Sequence, residues 1–374
     1  MEVIKEIILF VYGDSTKAST WSNVPYLMAK TFEKFGIVVD RVNIEPNPLI
    51  RGIYNLYNKV IHGKNSYSFI RTPLYMFLTN RRIKYSLRKF PNADFALYLT
   101  CDYMSPPNTI PSLVFFDWTY EMYIKDRLSY EVSKRDENVI KNESYVINNA
   151  DIVLPMFEET YNNLVTKYPK AKLYNFRRNV INNLCDEEPL SPKEKYKSDF
   201  VVFIGRKSGY LNGLKILSYA CKNVGLRVEA IGISKSDWSD APDNVVFHGY
   251  LHKEIDNERV IYYDLIRKAK LMCNPTGNWA GYSSLIEGMY FNNPIIVTRF
   301  KQFEIEFGES IEFGHYVDES IESVTEALHS ILKLELNDYV QLCNHAHMRV
   351  KGYTWREYVG KMIEIMNNVL SSSH

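Results

Sequence analysis

Apolar residues gather along this chain in short runs separated by longer segments whose apolar positions recur at helical spacing. Residues 3–12 read as a first strand, Tyr26–Phe35 as an amphipathic helix ended by Gly36, and Ile37–Ile44 as a second strand. Further strands are expected at Phe95–Leu99 and Leu113–Phe116, then a helix over about Tyr130–Asn148 and a strand at Ile152–Leu154. The charged, Pro-containing stretch 186–198 is the best linker, and a second series follows it. That series is strand 200–204, helix 212–223, strands 227–232 and 245–248, helix 256–269, strand 271–273, a Gly-rich loop with a short helix, and strand 294–298. Strands alternating with helices imply parallel sheets covered on both faces. Two domains of this kind are expected, over 1–190 and 199–354, with a last helix at about Trp355–Val369 returning to the first and hinges near 190–198 and 352–355.

Composition narrows the class. At 374 residues, with 46% hydrophobic and 24% charged positions, this is a globular chain, and a net charge of +1 gives no overall pull toward nucleic acid. No apolar run reaches the length of a membrane span, and Ile7–Val11 stops at Gly13 as a first strand does, so a cytoplasmic protein is expected. Cys101, Cys185, Cys221, Cys273 and Cys343 are scattered without a Cys-x-x-Cys pair, which argues against a zinc site and leaves core or half-buried thiols.

Chemistry concentrates in residues 273–298. Gly277 and Gly281 allow a tight turn and close approach to a ligand, and the N–H groups of the helix that follows suit a diphosphate. Glu287 falls near the start of that helix, where a carboxylate can accept both hydrogen bonds of a ribose diol; Ser284–Glu287 equally fits a capping box. Strand 200–204 runs directly into Gly205-Arg206, which brings a bidentate phosphate ligand to a strand's carboxyl end, although a solvated arginine in a turn fits the same dipeptide. In the loop from Gly13 to Pro25, Ser22 and Asn23 can donate to phosphate or acceptor, or cap the next helix. Asp117 ends the apolar run Leu113–Phe116 and is the best carboxylate for contacting sugar hydroxyls, with a cap for the following segment as the alternative.

From Pro46 to Ala93 there is no Asp or Glu, whereas Arg51, Lys59, Lys64, Arg71, Arg81, Arg82, Lys84, Arg88 and Lys89 alternate with aromatic residues. Basic charge with aromatic rings suits an anionic membrane surface. A solvated helical face with its rings turned inward is the other reading, and no nucleic-acid motif accompanies the charges.

Gly205-Arg206, then Asn212-Gly213, the loop and helix through 281–298, and Tyr353-Thr354-Trp355 before a last helix resemble, in order, the family-4 retaining glycosyltransferases. The resemblance covers about residues 199–365. It implies the GT-B fold, with two facing Rossmann-like doubly wound domains, a deep cleft between them, and acceptor and donor binding in the first and second domain. It gives Arg206 the donor diphosphate, Glu287 the nucleotide ribose, and the loop Gly281, Tyr282, Ser283 and Ser284 the phosphates. The segment Phe247–Leu251, with Tyr250 and Leu251, is similar to the part that lines the base. Gly13, Gly205 and Lys207 join the donor set, and Arg206, Glu287 and Asp117 carry the chemistry. Two positions depart from the family: Asn212 stands where a lysine is usual, and Trp279, beside Asn278, where an earlier glutamate is usual.

The resemblance implies sugar transfer from a UDP- or GDP-sugar to a glycan or polyprenyl-linked glycan in surface polysaccharide synthesis. It further implies no metal and no cofactor beyond the donor, and the basic, aromatic stretch 46–93 adds the expectation of a peripheral position on the inner face of a membrane. A sugar-nucleotide epimerase or inverting transferase on the same scaffold, and a non-catalytic glycan- or nucleotide-binding subunit, are the alternatives.

Overall fold

The computed structural model describes residues 4–62, 69–70, 72–103, 110–128, 131–176, 189–276 and 282–372. The chain divides into two compact units, Met1–Arg177 with Tyr358–His374, and Arg178–Glu357.

The first unit is laid down as β1 (Glu6–Val11), α1 (Val24–Lys34), β2 (Val38–Asn43), α2 (Pro48–His62), α3 (Pro73–Lys89), β3 (Phe95–Tyr98) and β4 (Ser112–Phe116). A short α4 (Tyr120–Met122) running into a π-helical turn, α5 (Lys134–Asn149), β5 (Ile152–Pro155) and α6 (Glu158–Lys167) complete it. Its strands form a parallel sheet in the order β2-β1-β3-β4-β5. Strands β3, β4 and β5 are buried throughout, as near-continuous apolar runs require when helices cover both faces. Phe10 stacks on Tyr98 with centroids 4.8 Å apart, locking β1 to β3.

The second unit contains α7 (Pro192–Lys195), β6 (Phe200–Ile204), α8 (Lys207–Asn223), β7 (Arg227–Ile231), β8 (Val245–Gly249), α9 (Asp256–Lys268), β9 (Leu271–Asn274) and α10 (Ser283–Tyr290). It continues with β10 (Ile295–Thr298), α11 (Lys301–Phe307), β11 (Gly314–Val317), α12 (Ile321–Leu332) and α13 (Leu336–Val350). The sheet order is β11-β10-β9-β6-β7-β8, again parallel. The last helix, α14 (Trp355–Ser372), joins the first unit from Tyr358 onward. There the Tyr358 ring meets Phe115 and Phe176 edge-on, and Asn367 Oδ1 accepts the Ile4 N–H at 3.0 Å.

Helix α8 begins at Lys207, five residues before the 212 expected from sequence. Gly213, inside the expected helix, is a packing glycine, since a Cβ there would strike the Thr276 hydroxyl. The described cysteines Cys101, Cys221, Cys273 and Cys343 are buried thiols. Among the described residues no helix is long and apolar enough to cross a membrane.

Candidate functional site

Each sheet reverses its strand order once, and ligands of open parallel sheets bind beyond the carboxyl ends of the strands at such a point. In the second unit the chain builds β6, β7 and β8 outward on one side, then returns to place β9 against the other side of β6. The reversal lies between β6 and β9.

Gly205-Arg206 leaves β6 at that point. Gly205 is required because a Cβ there would stand 2.7 Å from the Tyr210 ring. Arg206 is the exposed N-cap residue of α8, a helix with no acidic residue in its first turn. Positive charge and free helix N–H groups thus coincide, the combination that binds phosphate. The Arg206 guanidinium stands near the Tyr250 phenol; burial and Glu254 push that phenol up while Arg206 holds it down. Tyr250 meets His252 edge-on at 4.7 Å. Across the reversal, Asn274 and Thr276 follow one another at the end of β9, and Thr298 ends β10. All three are at least nine-tenths buried, and Asn274 Oδ1, Thr276 Oγ1 and Thr298 Oγ1 have no hydrogen-bond partner among the described residues. Buried polar atoms of this kind cost stability unless something hydrogen-bonds them, and these stand at or just past the carboxyl ends of strands, with the Thr276 hydroxyl lying against Gly213.

Glu287, fifth residue of α10, is fully buried. Lys253 Nζ donates to both of its oxygens at 2.9 Å, and the Tyr262 hydroxyl donates to Oε2 at 2.7 Å. Lys253 also lies over the Tyr262 ring, 4.1 Å from its centroid. Burial pushes the Glu287 carboxyl above its ordinary range against the pull of Lys253 and the hydrogen bonds from Tyr262 and Tyr263. The Tyr262 phenol is pushed up as well, by burial and by the carboxylate beside it.

In the first unit the reversal lies between β1 and β3. A cavity of about 310 Å³ opens there, at the carboxyl ends of β1, β3 and β4. Tyr12, Trp21 and Trp118 supply aromatic walls, and Asp102, Asp117 and Glu143 supply carboxylates. Trp21 enters from a left-handed backbone (φ 39°), a conformation unfavourable for a bulky residue. Glu143 is held by the Tyr120 N–H at 2.8 Å and by the Cys101 thiol at 3.2 Å. Asp117 Oδ1 accepts the Trp118 N–H at 2.8 Å, and its carbonyl accepts the Thr160 hydroxyl at 2.7 Å. Aromatic faces with convergent acceptors are what a ring bearing hydroxyls needs.

No family model and no curated protein sequence matches the chain. Solved structures are similar in fold. Sucrose-phosphate synthase from Thermosynechococcus elongatus aligns with a TM-score of 0.67 at 15% identity over 98% of this chain and 100% of its own. WaaG, described as a glycosyltransferase involved in lipopolysaccharide biosynthesis, aligns with a TM-score of 0.65 at 11% identity over 96% and 99%. A TarM mutant from S. aureus in complex with fondaparinux, alpha-GlcNAc-glycerol and UDP aligns at 0.53 and 12% identity over 77% of this chain and 59% of its own. Two parallel-sheet units, matched almost end to end in the first two, decide the architecture. The chain has the GT-B fold.

Within this GT-B chain, Arg206, Tyr250 and Leu251 lie together beyond β6 and β8, while Gly205 shapes the turn. Asn212 is an exposed residue of α8. Ser283 and Ser284 open α10, where the structure forms no side-chain cap. The capping-box alternative for Glu287 is therefore corrected: its carboxylate turns to Lys253 instead. Tyr282 is buried, its ring 5.3 Å from Phe303 and 5.7 Å from Phe300 and its hydroxyl on Glu306, so its side chain is taken up by packing. Asn278, Trp279 and Gly281 lie outside the described residues, as do the side chains of Lys207 and Ser22.

In the first unit Asp117 lines the cavity. The cap alternative for it is corrected too, since Thr119 caps α4 by accepting the Met122 N–H. Asn23 occupies the N-cap position of α1 in a left-handed conformation (φ 74°) and makes no side-chain cap bond. Gly13 has φ 108° and donates its N–H to Asn43 Oδ1 at 3.1 Å. Sequence reasoning missed Lys253, Tyr262, Trp21 and Glu143. Lys253 follows the noted Phe247–Leu251 by only two residues, but nothing local signals a partner 34 positions away.

Proposed function

We propose that this protein moves a sugar from a nucleotide-diphosphate donor, a UDP- or GDP-sugar, to a hydroxyl of a glycan or polyprenyl-linked glycan in surface polysaccharide synthesis, with retention of configuration. The observation that carries the reading is Arg206 at the N-terminus of α8, at the strand-order reversal of a sheet whose β9 and β10 ends carry three buried oxygens with no hydrogen-bond partner among the described residues. The guanidinium and the helix dipole would take the charge that grows on the leaving diphosphate, without a metal. The acceptor hydroxyl would attack from the face the diphosphate leaves, passing its proton to a phosphate oxygen. Glu287 is the ribose ligand in this reading. Its carboxylate, already holding Lys253 and Tyr262, exchanges part of that shell for the diol. The aromatic and acidic cavity of the first unit would hold the acceptor, with Asp117 contacting its hydroxyls. The similar TarM structure holding UDP and a GlcNAc-glycerol, and WaaG's part in lipopolysaccharide biosynthesis, support this reading.

The test is incubation with UDP- and GDP-sugars and a membrane extract, with and without EDTA. Transfer from one donor is expected to survive EDTA and to fall about 10²–10³-fold in Arg206→Ala, with product anomers matching the donor. Nucleotide binding without turnover would establish a binding subunit instead, and inverted products or free epimerised donor would refute retention.

A further inference from the structure

An amphipathic helix normally turns its apolar stripe to the core. Helix α2 does the opposite. It rests on the half-buried Tyr54 and on Asn58, which is 3% exposed, with Tyr54 against Phe69 at 4.9 Å. Leu49, Ile53, Leu56 and Val60, at spacings of four, three and four, form one stripe and are 73%, 71%, 67% and 75% exposed. Such spacing places all four on a single helix face. In α3, Phe77 and Tyr85 are exposed as well, beside Arg81, Arg82 and Lys84. Of the solvated-face reading, the inward rings hold for Phe69 and Tyr75, whereas Phe77, Tyr85 and the aliphatic stripe of α2 face outward.

We propose that the exposed face of α2 and α3 docks on an anionic lipid bilayer, with the aliphatic stripe in the acyl boundary and the arginines and lysines at the headgroups. Charge decides the occupant. With no Asp or Glu between 46 and 93, a two-fold contact between copies would set basic residues against basic residues. Nucleic acid would satisfy the charge but not four exposed aliphatic side chains. A bilayer with anionic headgroups satisfies both.

Co-sedimentation with vesicles tests this without donor or acceptor. The full chain is expected to sediment with vesicles containing phosphatidylglycerol, to stay in solution with pure phosphatidylcholine, and to dissociate as salt is raised. A basic residue near such a surface is worth about fivefold in partitioning, so neutralising Arg81, Arg82 and Lys84 as glutamines lowers it about 100-fold. The variant I53S/L56S/V60S keeps every charge and is expected to lose sedimentation; all three positions are exposed, so its circular dichroism stays that of the parent. As a second readout, I53W emission shifts to the blue on anionic vesicles. Wild type left in the supernatant, or an I53S/L56S/V60S variant that sediments unchanged, overturns the proposal. So does conversion of a dimer to a monomer by that variant without vesicle binding, or retention on an oligonucleotide in place of vesicles.

Discussion

Replacing Lys253 with Met removes the ammonium group from a carboxylate that has no exposure to water and leaves the packing volume nearly unchanged. Glu287 then keeps hydrogen bonds from Tyr262 and Tyr263 but loses two 2.9 Å charge-assisted bonds. Breaking a buried ion pair from one side costs about 3–5 kcal/mol, because the remaining charge stays desolvated. The cost depends on pH in a definite direction. Burial raises Glu287 in the folded protein, so the native state holds the proton more tightly than the unfolded chain. Stability therefore falls as pH climbs from the ordinary carboxyl range through the folded value. Lys253→Met removes the largest opposing influence, moves the folded value higher and widens that window upward. The variant is expected to lose the full amount at pH 8 and less at pH 5, where Glu287 can take a proton. Hydrogen exchange of the β9 and α10 amides reads the second unit on its own. The double variant K253M/E287Q is expected to recover about 2 kcal/mol or more, since no charge is left stranded. A loss below about 1 kcal/mol, equal at both pH values, would refute the buried charged pair.

Lys195 is 1% exposed, donates to the Phe291 carbonyl at 2.6 Å and Asn293 Oδ1 at 2.7 Å, and is lowered to about 7 by burial. The unfolded chain binds the extra proton between pH 7 and the ordinary lysine range, so stability rises across that interval, by up to about 5 kcal/mol, and Lys195→Met flattens the rise in pH-dependent thermal melts. Gly213→Ala forces a methyl group onto the Thr276 hydroxyl and is expected to cost about 1–3 kcal/mol in the same melts, an effect that Thr276→Ala in the same chain relieves. Arg206→Ala leaves the melting temperature unchanged while lowering nucleotide-sugar turnover about 10²–10³-fold, because the side chain is exposed and supports no core; a drop in melting temperature of equal weight would make it a structural residue.

The alternation of strands and helices was legible because buried parallel strands are written as short apolar runs, and β4, β9 and β10 are fully buried runs of this kind. Gly205-Arg206 was legible for a related reason: a strand's end and a helix's start are local events. Cap chemistry was less so, because several polar residues near each helix start compete and only geometry chooses among them. Thr119 won over Asp117, and Asn23 took a cap position without using its side chain. The start of α8 was less legible because its first turn holds Gly209, with φ 92°, a residue that local sequence marks as a breaker rather than as part of a helix.

The departure at Asn212 acquires a different meaning once Lys253 is placed. Sequence alone shows a lysine missing from the helix after Gly205-Arg206, which reads as a weakened site. The structure shows a buried lysine reaching the other end of the donor constellation, on the carboxylate assigned to the ribose. The two lysines are not equivalent, since one near α8 would meet phosphate and Lys253 meets Glu287. Charge in the second unit is therefore divided: Arg206 stands exposed at the start of α8, and Lys253 holds a buried carboxylate in place and opposes the rise that burial imposes on it. Without that lysine, burial would raise the Glu287 carboxyl further, and its protonated form donates as well as accepts, losing its preference for a diol. On this argument the Asn212 position tunes how tightly phosphate is held, while ribose recognition rests on Lys253. Nucleotide affinity in Lys253→Met is then expected to weaken more for the ribonucleotide than for its 2′-deoxy analogue, which titration calorimetry with the two nucleotides measures, and equal weakening of both would return Lys253 to a purely structural role.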